Sequence, residues 1–322
     1  MGETSSYEPS SYWSGHDFSK ARKSYDDHAG RSYDNAKHNG KTAKSVIPDS
    51  IETKSKRPFV FVYDVTGTMG SWPSVIVSKM PYLEHQLKNE YLGEDMEIAF
   101  MAVGDMHGDD YPLQVRPFAK AADIKKQMDE LIIEGGGIGN GTESYHLAAL
   151  YMLKNVKIPK DAKPIAVFVG DERLEDRATK SGVSNFKISI SETVDTVEIF
   201  RQLKAQGWAI YFVEKIPTDS ANSDAQVYES WENAVGDDHI AELHEPDRIV
   251  DVIFGILGKE TEKEDYFDEE IRRRQTPKQV ETVYTALKSI IRQSGLKKLP
   301  GAVVPKLSTG GKKATPLLTK KS

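Results

Sequence analysis

Phe59-Val60-Phe61-Val62-Tyr63-Asp64-Val65-Thr66-Gly67-Thr68-Met69-Gly70 joins an apolar run to a carboxylate, two hydroxyls spaced two apart, and glycines that let the chain turn. Phe59 to Tyr63 are β-branched or aromatic, as in a strand buried on both faces. Asp64 then falls at the strand's carboxyl end, where open parallel sheets present their ligand sites. Asp64, Thr66 and Thr68 offer only oxygen donors, which suits a hard cation such as magnesium.

Outward from this stretch, strands and helices alternate from Arg57 to about Lys259. That alternation predicts an α/β fold, doubly wound around a mainly parallel sheet. A helix is expected from Trp72 to Asn89 and a strand over Met96–Gly104. Leu113–Phe118 follows closely enough to form a hairpin, hence one antiparallel edge strand. Helices are expected at Ala121–Ile133 and Glu143–Asn155, around the glycine-rich loop Gly135–Gly141. Next come a strand at Ile165–Gly170, a helix near Thr193–Ala205 and a strand at Trp208–Glu214. A helix near Ala225–Val235, a short strand at His239–Leu243 and a helix at Pro246–Leu257 complete the domain.

Residues 1–56 read as a polar, disordered leader rich in Ser and Tyr, either solvated or acting as a strap whose aromatic side chains dock on a partner. Residues 57–259 form the domain, 260–294 a helical extension, and 295–322 a disordered tail with seven lysines and no acidic residue.

Three further signals follow in order. Gly141-Thr142 leads into a helix containing Ala148-Ala149-Leu150, and Ile165–Gly170 ends in Asp171. Val103-Gly104-Asp105, His107 and Asp109-Asp110 form a turn before Leu113–Phe118. Together with Asp-x-Thr-x-Thr at Asp64–Thr68, these resemble the metal-ion-dependent adhesion site (MIDAS) of von Willebrand factor A (VWA) domains. The strand-turn-strand resembles the VWA domains found beside alpha-type kinases, although no kinase domain is present. The resemblance covers roughly 57–259. It implies that Asp64, Thr66, Thr68, Thr142 and Asp171 hold Mg2+ or Mn2+, with Asp171 acting through water. It also implies capture of an Asp or Glu from a partner protein rather than turnover. Intracellular members of that family act as assembly or adaptor factors, which makes a cytoplasmic adaptor the expected role. Ser144 stands ready to replace Thr142, and Glu172 offers a further carboxylate.

Other classes fare less well. Gly136–Thr142 lacks the lysine of a phosphate loop and follows a helix instead of a strand. Asp105, His107, Asp109 and Asp110 read either as a shaped turn or as a second metal site. His85 and His146 lie on expected helices, where a structural histidine is the simpler reading. A metal-dependent hydrolase using Asp64, Asp171 and Asp105 is an alternative to the docking role, and nucleic-acid contact through the 295–322 tail is another.

Composition narrows the classes further. The chain has 322 residues, 38% of them hydrophobic, and a net charge of −6, which argues against general coating of nucleic acid. With no cysteine, disulfides, zinc–thiolate centres and thiol nucleophiles are excluded. No apolar run approaches the roughly 18 residues of a membrane span, so no membrane association is expected. The first residues carry no apolar core of a secretory signal.

Overall fold

The computed structural model describes residues 11–13, 41–133, 141–217 and 224–291. The chain divides into a unit spanning Met1–Arg292 and a second one, Gln293–Ser322. The second unit, the loop at 134–140 and most of the first 40 residues lie outside the described residues.

The expected doubly wound architecture is present. Its central sheet has six strands: β1 Pro58–Asp64, β2 Glu97–Val103, β3 Leu113–Val115, β4 Ile165–Gly170, β5 Ala209–Lys215 and β6 Ile240–Leu243, in the order β6-β5-β4-β1-β2-β3. All pairs are parallel except β2 with β3. The longer helices are α1 Trp72–Gln86, α2 Ala122–Asp129, α3 Tyr145–Asn155, α4 Thr196–Ala205, α5 Ala225–Val235, α6 Ile249–Glu260, α7 Glu264–Arg274 and α8 Pro277–Ala286.

β1 is buried along its whole length and sorts its side chains onto two cores. Phe59, Phe61 and Tyr63 pack with Val75, Met80 and Leu83 of α1 and Ile253 and Ile256 of α6. Val60 and Val62 face Leu147, Ala148 and Tyr151 of α3 and Phe200 of α4. Period-two alternation thus makes a strand that looks uniformly apolar serve both layers. Asp64 shares the parity of Val60 and Val62, which turns it toward α3.

The strand order also fixes where a site can form. From β1 the chain moves to one side through β2 and β3, then returns to the other side at β4. β1 and β4 are neighbours at this reversal, so a crevice opens beyond their carboxyl ends, between Asp64 and Gly170.

Part of the stretch assigned to the leader is packed against the domain. Val46, Ile47 and Ile51 are buried, and Ile51-Glu52 pairs in parallel with Val156-Lys157 after α3. Its few aliphatic residues suffice because the second core supplies the partner surface. Nearer the start, Trp13 is buried, and its indole N–H and the Tyr12 hydroxyl both reach the Glu84 carboxylate on α1, at 3.4 and 2.7 Å. These aromatics dock on their own domain.

At the other end, α7 and α8 close over α6. Gly255 on α6 makes this possible, because a Cβ there would lie 2.2 Å from Leu287 and 3.2 Å from Phe267. No helix among the described residues is long and apolar enough to cross a membrane.

Candidate metal centre

Beyond Asp64 the chain leaves the sheet through Val65, whose N–H donates to the Val103 carbonyl at 3.0 Å, and turns through Gly67–Met69. Gly70 has φ +54, a left-handed value that glycine takes without strain. The turn brings the two threonines back over Asp64. The Asp64 Oδ1 atom accepts both the Thr66 N–H at 2.7 Å and the Thr66 hydroxyl at 2.6 Å. Thr66 Oγ1 lies 3.1 Å from Thr68 Oγ1, and the Thr68 hydroxyl donates to Asp171 Oδ1 at 3.2 Å. A continuous oxygen chain therefore spans the crevice from β1 to the residue after β4.

Asp64 Oδ2 accepts the Tyr145 hydroxyl at 2.8 Å. Tyr145 opens α3 and reaches the crevice across Gly170, where a Cβ would stand 1.8 Å from the hydroxyl oxygen. Gly170 is glycine for clearance. Gly170→Ala is expected to lose about 1–3 kcal/mol in urea unfolding, the usual range for overpacking, and unchanged stability would show that Tyr145 does not need this gap.

Below the crevice, Trp231 of α5 stacks on Phe212 at 3.8 Å and meets Tyr145 edge-on at 5.2 Å. Its indole N–H donates to the Glu172 carbonyl at 3.1 Å, fixing the backbone next to Asp171. An aromatic plate thus holds both the tyrosine and the β4 loop.

The electrostatics are dominated by burial of like charges. Burial, and then Asp171, push the Asp64 carboxyl up to about 7, against the opposing pull of its Thr66 hydrogen bonds. Glu143 is buried, and its Oε2 has no hydrogen-bond partner among the described residues. Burial together with Asp64, Asp105, Asp109 and Glu172 pushes its carboxyl up to about 10. Glu172 is raised too, by burial and then Asp171. Such a site disfavours its own negative charge, and a bound cation would relieve it.

One cation is already built in. Lys215 ends β5, and its ammonium donates to Asp171 Oδ2 at 2.7 Å and to the Thr68 carbonyl. Its position follows from register: Glu214 pairs with Gly170, so the next residues, Lys215 and Asp171, come level at the carboxyl ends of β5 and β4.

Of the five residues expected as ligands, Asp64, Thr66, Thr68 and Asp171 are linked in this way. Thr142 sits in a two-residue strand, Thr142-Glu143, paired with Arg173-Leu174, and its hydroxyl donates to Glu175 at 2.7 Å. The helix starts at Tyr145, two residues later than the sequence suggests, because Thr142-Glu143 is extended. Ser144 joins the second motif to the neighbouring turn: its N–H donates to the Gly104 carbonyl at 3.0 Å and its Oγ accepts the Met106 N–H at 2.8 Å.

The Asp105–Asp110 segment is a shaped turn. Asp105 Oδ1 accepts the His107 N–H and Asp109 Oδ2 accepts the Asp105 N–H, both at 2.8 Å. Among the described residues, no cluster of three or more His, Cys, Asp or Glu has metal-binding spacing. A cation here depends on hydroxyls as well as carboxylates. The donor set fits a hard, oxygen-seeking divalent ion: two carboxylates, two hydroxyls on the connecting chain, and further carboxyl groups close by.

No family model and no curated protein matches the chain. Similar solved structures include proximal thread matrix protein 1 from the mussel byssus with a zinc-occupied MIDAS motif, at 10% identity and TM-score 0.44, covering 66% of this chain and 46% of that one. They also include the pilus adhesin SpaC from Lactobacillus rhamnosus GG in an open conformation, at 10% identity and TM-score 0.43, covering 67% and 30%. The chain spans less than half the length of either.

Proposed function

We propose that this protein is a non-enzymatic docking module of VWA type, which captures an Asp or Glu side chain of a partner protein through a divalent cation, Mg2+ or Mn2+, at the crevice between β1 and β4. The observation that carries this reading is the oxygen chain Asp64–Thr66–Thr68–Asp171, held at the topological switch point beside a carboxyl whose charge is disfavoured until a cation arrives. Asp64, Thr66, Thr68 and Asp171 would hold the cation, and Thr142 would join them only by turning its hydroxyl from Glu175. When bound, the cation supplies a Lewis-acidic position that a partner carboxylate completes. Tyr145 holds Asp64 through its second oxygen, and Trp231 steadies the backbone beside Asp171.

The strand-turn-strand of β2 and β3, with its Asp105–Asp110 turn, supports placing the chain near the VWA domains that accompany alpha-type kinases. An adaptor or assembly role in the cytoplasm follows from that placement.

Capturing partners from the native lysate in magnesium, in EDTA, and with Asp64→Ala tests the reading. A partner lost in both EDTA and the variant supports it; partners retained in all three arms exclude the crevice as the docking surface. On purified protein, Asp64→Ala should weaken Mn2+ binding by more than about tenfold, since even an outer-shell partner of a metal ligand is worth about 10–100-fold. Equal Mn2+ affinity in the variant and the wild type would exclude the centre.

A further inference from the structure

We infer that Lys215 sets the charge of this centre, so that cation binding depends on an incoming carboxylate; this rests on the docking reading above. The ammonium is fixed from both sides of the crevice, by Asp171 Oδ2 of the β4 loop at 2.7 Å and by the Thr68 carbonyl of the β1 loop. It is also poorly screened, because the Lys215 side chain is 17% exposed and that of Asp171 9%.

The consequence is one of charge balance. Asp64 and Asp171 alone would neutralise a divalent cation and leave a closed, neutral centre with little attraction for a further anion. With Lys215 in place one negative charge is already matched, so a bound divalent ion leaves the centre with one net positive charge. A partner's Asp or Glu restores neutrality. Lys215 thus weakens the grip on the cation alone and strengthens the grip on cation and carboxylate together, which couples the two binding events. The lysine also has a structural part: it ties the β1 and β4 loops together across the crevice.

Lys215 is the cation in hydrogen-bond contact with the oxygen chain among the described residues. Arg173 points elsewhere, its Nε donating to the Gly141 carbonyl at 3.2 Å.

The test is Mn2+ titration of wild type, Lys215→Met, Lys215→Gln, Lys215→Arg and Asp64→Ala. Each is measured in sodium chloride and in sodium acetate of equal ionic strength. An ammonium beside a bound cation repels it, so removing the ammonium should tighten Mn2+ binding in chloride by about tenfold or more. Acetate should tighten binding to wild type and to Lys215→Arg more than to the two neutral variants. Unfolding curves of each variant without metal show that it is folded, and the two neutral side chains guard against a packing defect in either one. Equal or weaker Mn2+ binding in both neutral variants overturns the inference, as does an acetate effect that does not depend on the charge at 215. The Asp64→Ala arm speaks to the docking reading separately: if it binds Mn2+ as wild type does, the centre itself is excluded, whatever Lys215 does.

Discussion

Asp251→Ala should destabilise the protein by about 3–5 kcal/mol, the cost of stripping one partner from a buried ion pair. Asp251 lies inside α6 and is buried. Its Oδ2 accepts Arg248 Nη1 at 2.8 Å and the Gln275 amide at 3.1 Å, while Oδ1 accepts Arg274 Nη2 at 3.2 Å. Arg274 comes from the end of α7, and its guanidinium also lies over the rings of Tyr82 and Phe254, at 5.1 and 5.9 Å. One carboxylate therefore compensates two buried guanidiniums and fastens the helical extension to the domain. Without it, Arg248 loses the carboxylate it is paired with in the core, and Arg274 keeps only Glu270, 3.9 Å from its Nε. Thermal unfolding should show a fall of roughly 10 °C, given about 2–4 °C per kcal/mol for a domain of this size. The exposed pair Arg272–Asp268 offers a contrast, since surface pairs contribute at most about 1 kcal/mol. A loss in Asp251→Ala no larger than in Arg272→Ala would refute this account of the extension.

The contrast between that knot and the crevice bears on what the amino-acid sequence reveals. β1, β4 and α5 were legible because an apolar run or a helical stripe is a local signal, and the punctuation at Asp64 and Asp171 marked the ends of β1 and β4. Four ligand candidates met because two neighbouring strands must end side by side. Lys215 and Tyr145 were not found, for a shared reason. Each acts through register with a distant segment: Glu214 opposite Gly170 for Lys215, and the clearance over Gly170 for Tyr145. Nothing within a few residues of either carries that information, although the charged pair Glu214-Lys215 closing an apolar strand was a usable hint. Thr142 illustrates the converse. Its motif was visible, yet the pairing of Thr142-Glu143 with Arg173-Leu174 directs the hydroxyl to Glu175, a partner 33 residues away. The packing of 41–56 was hidden because its three buried aliphatics make no periodic pattern of their own.

His146 carries the clearest pH prediction. It sits on α3 next to the residue that holds Asp64, is fully buried, and neither ring nitrogen has a hydrogen-bond partner among the described residues. Burial, and then His107, hold its imidazole down to about 3. The folded-state value is below the unfolded one of about 6.5, so the unfolded chain takes up the proton first. The stability tied to neutral His146 is therefore intact above about pH 6.5 and is lost as pH falls toward 3. At pH 4 the loss should be about 3 kcal/mol relative to pH 7, from roughly 1.4 kcal/mol per pH unit. Asp64 and Glu143 work in the opposite direction. Their raised folded-state values favour the fold at low pH, and that contribution fades as pH rises through about 7 and about 10. The wild-type profile alone mixes both trends, so the measurement is a difference. His146→Leu keeps a similar apolar volume, removes two unpartnered polar atoms, and leaves the carboxylates in place. Urea unfolding at pH 4, 5, 6 and 7 should show the variant as stable as wild type or more so at pH 7, where relief of a buried unpaired group is worth about 1–3 kcal/mol. Its advantage should then widen steadily toward pH 4. Parallel profiles for the two proteins would mean that His146 finds a proton acceptor in the folded state, and that the acid sensitivity of the fold arises elsewhere.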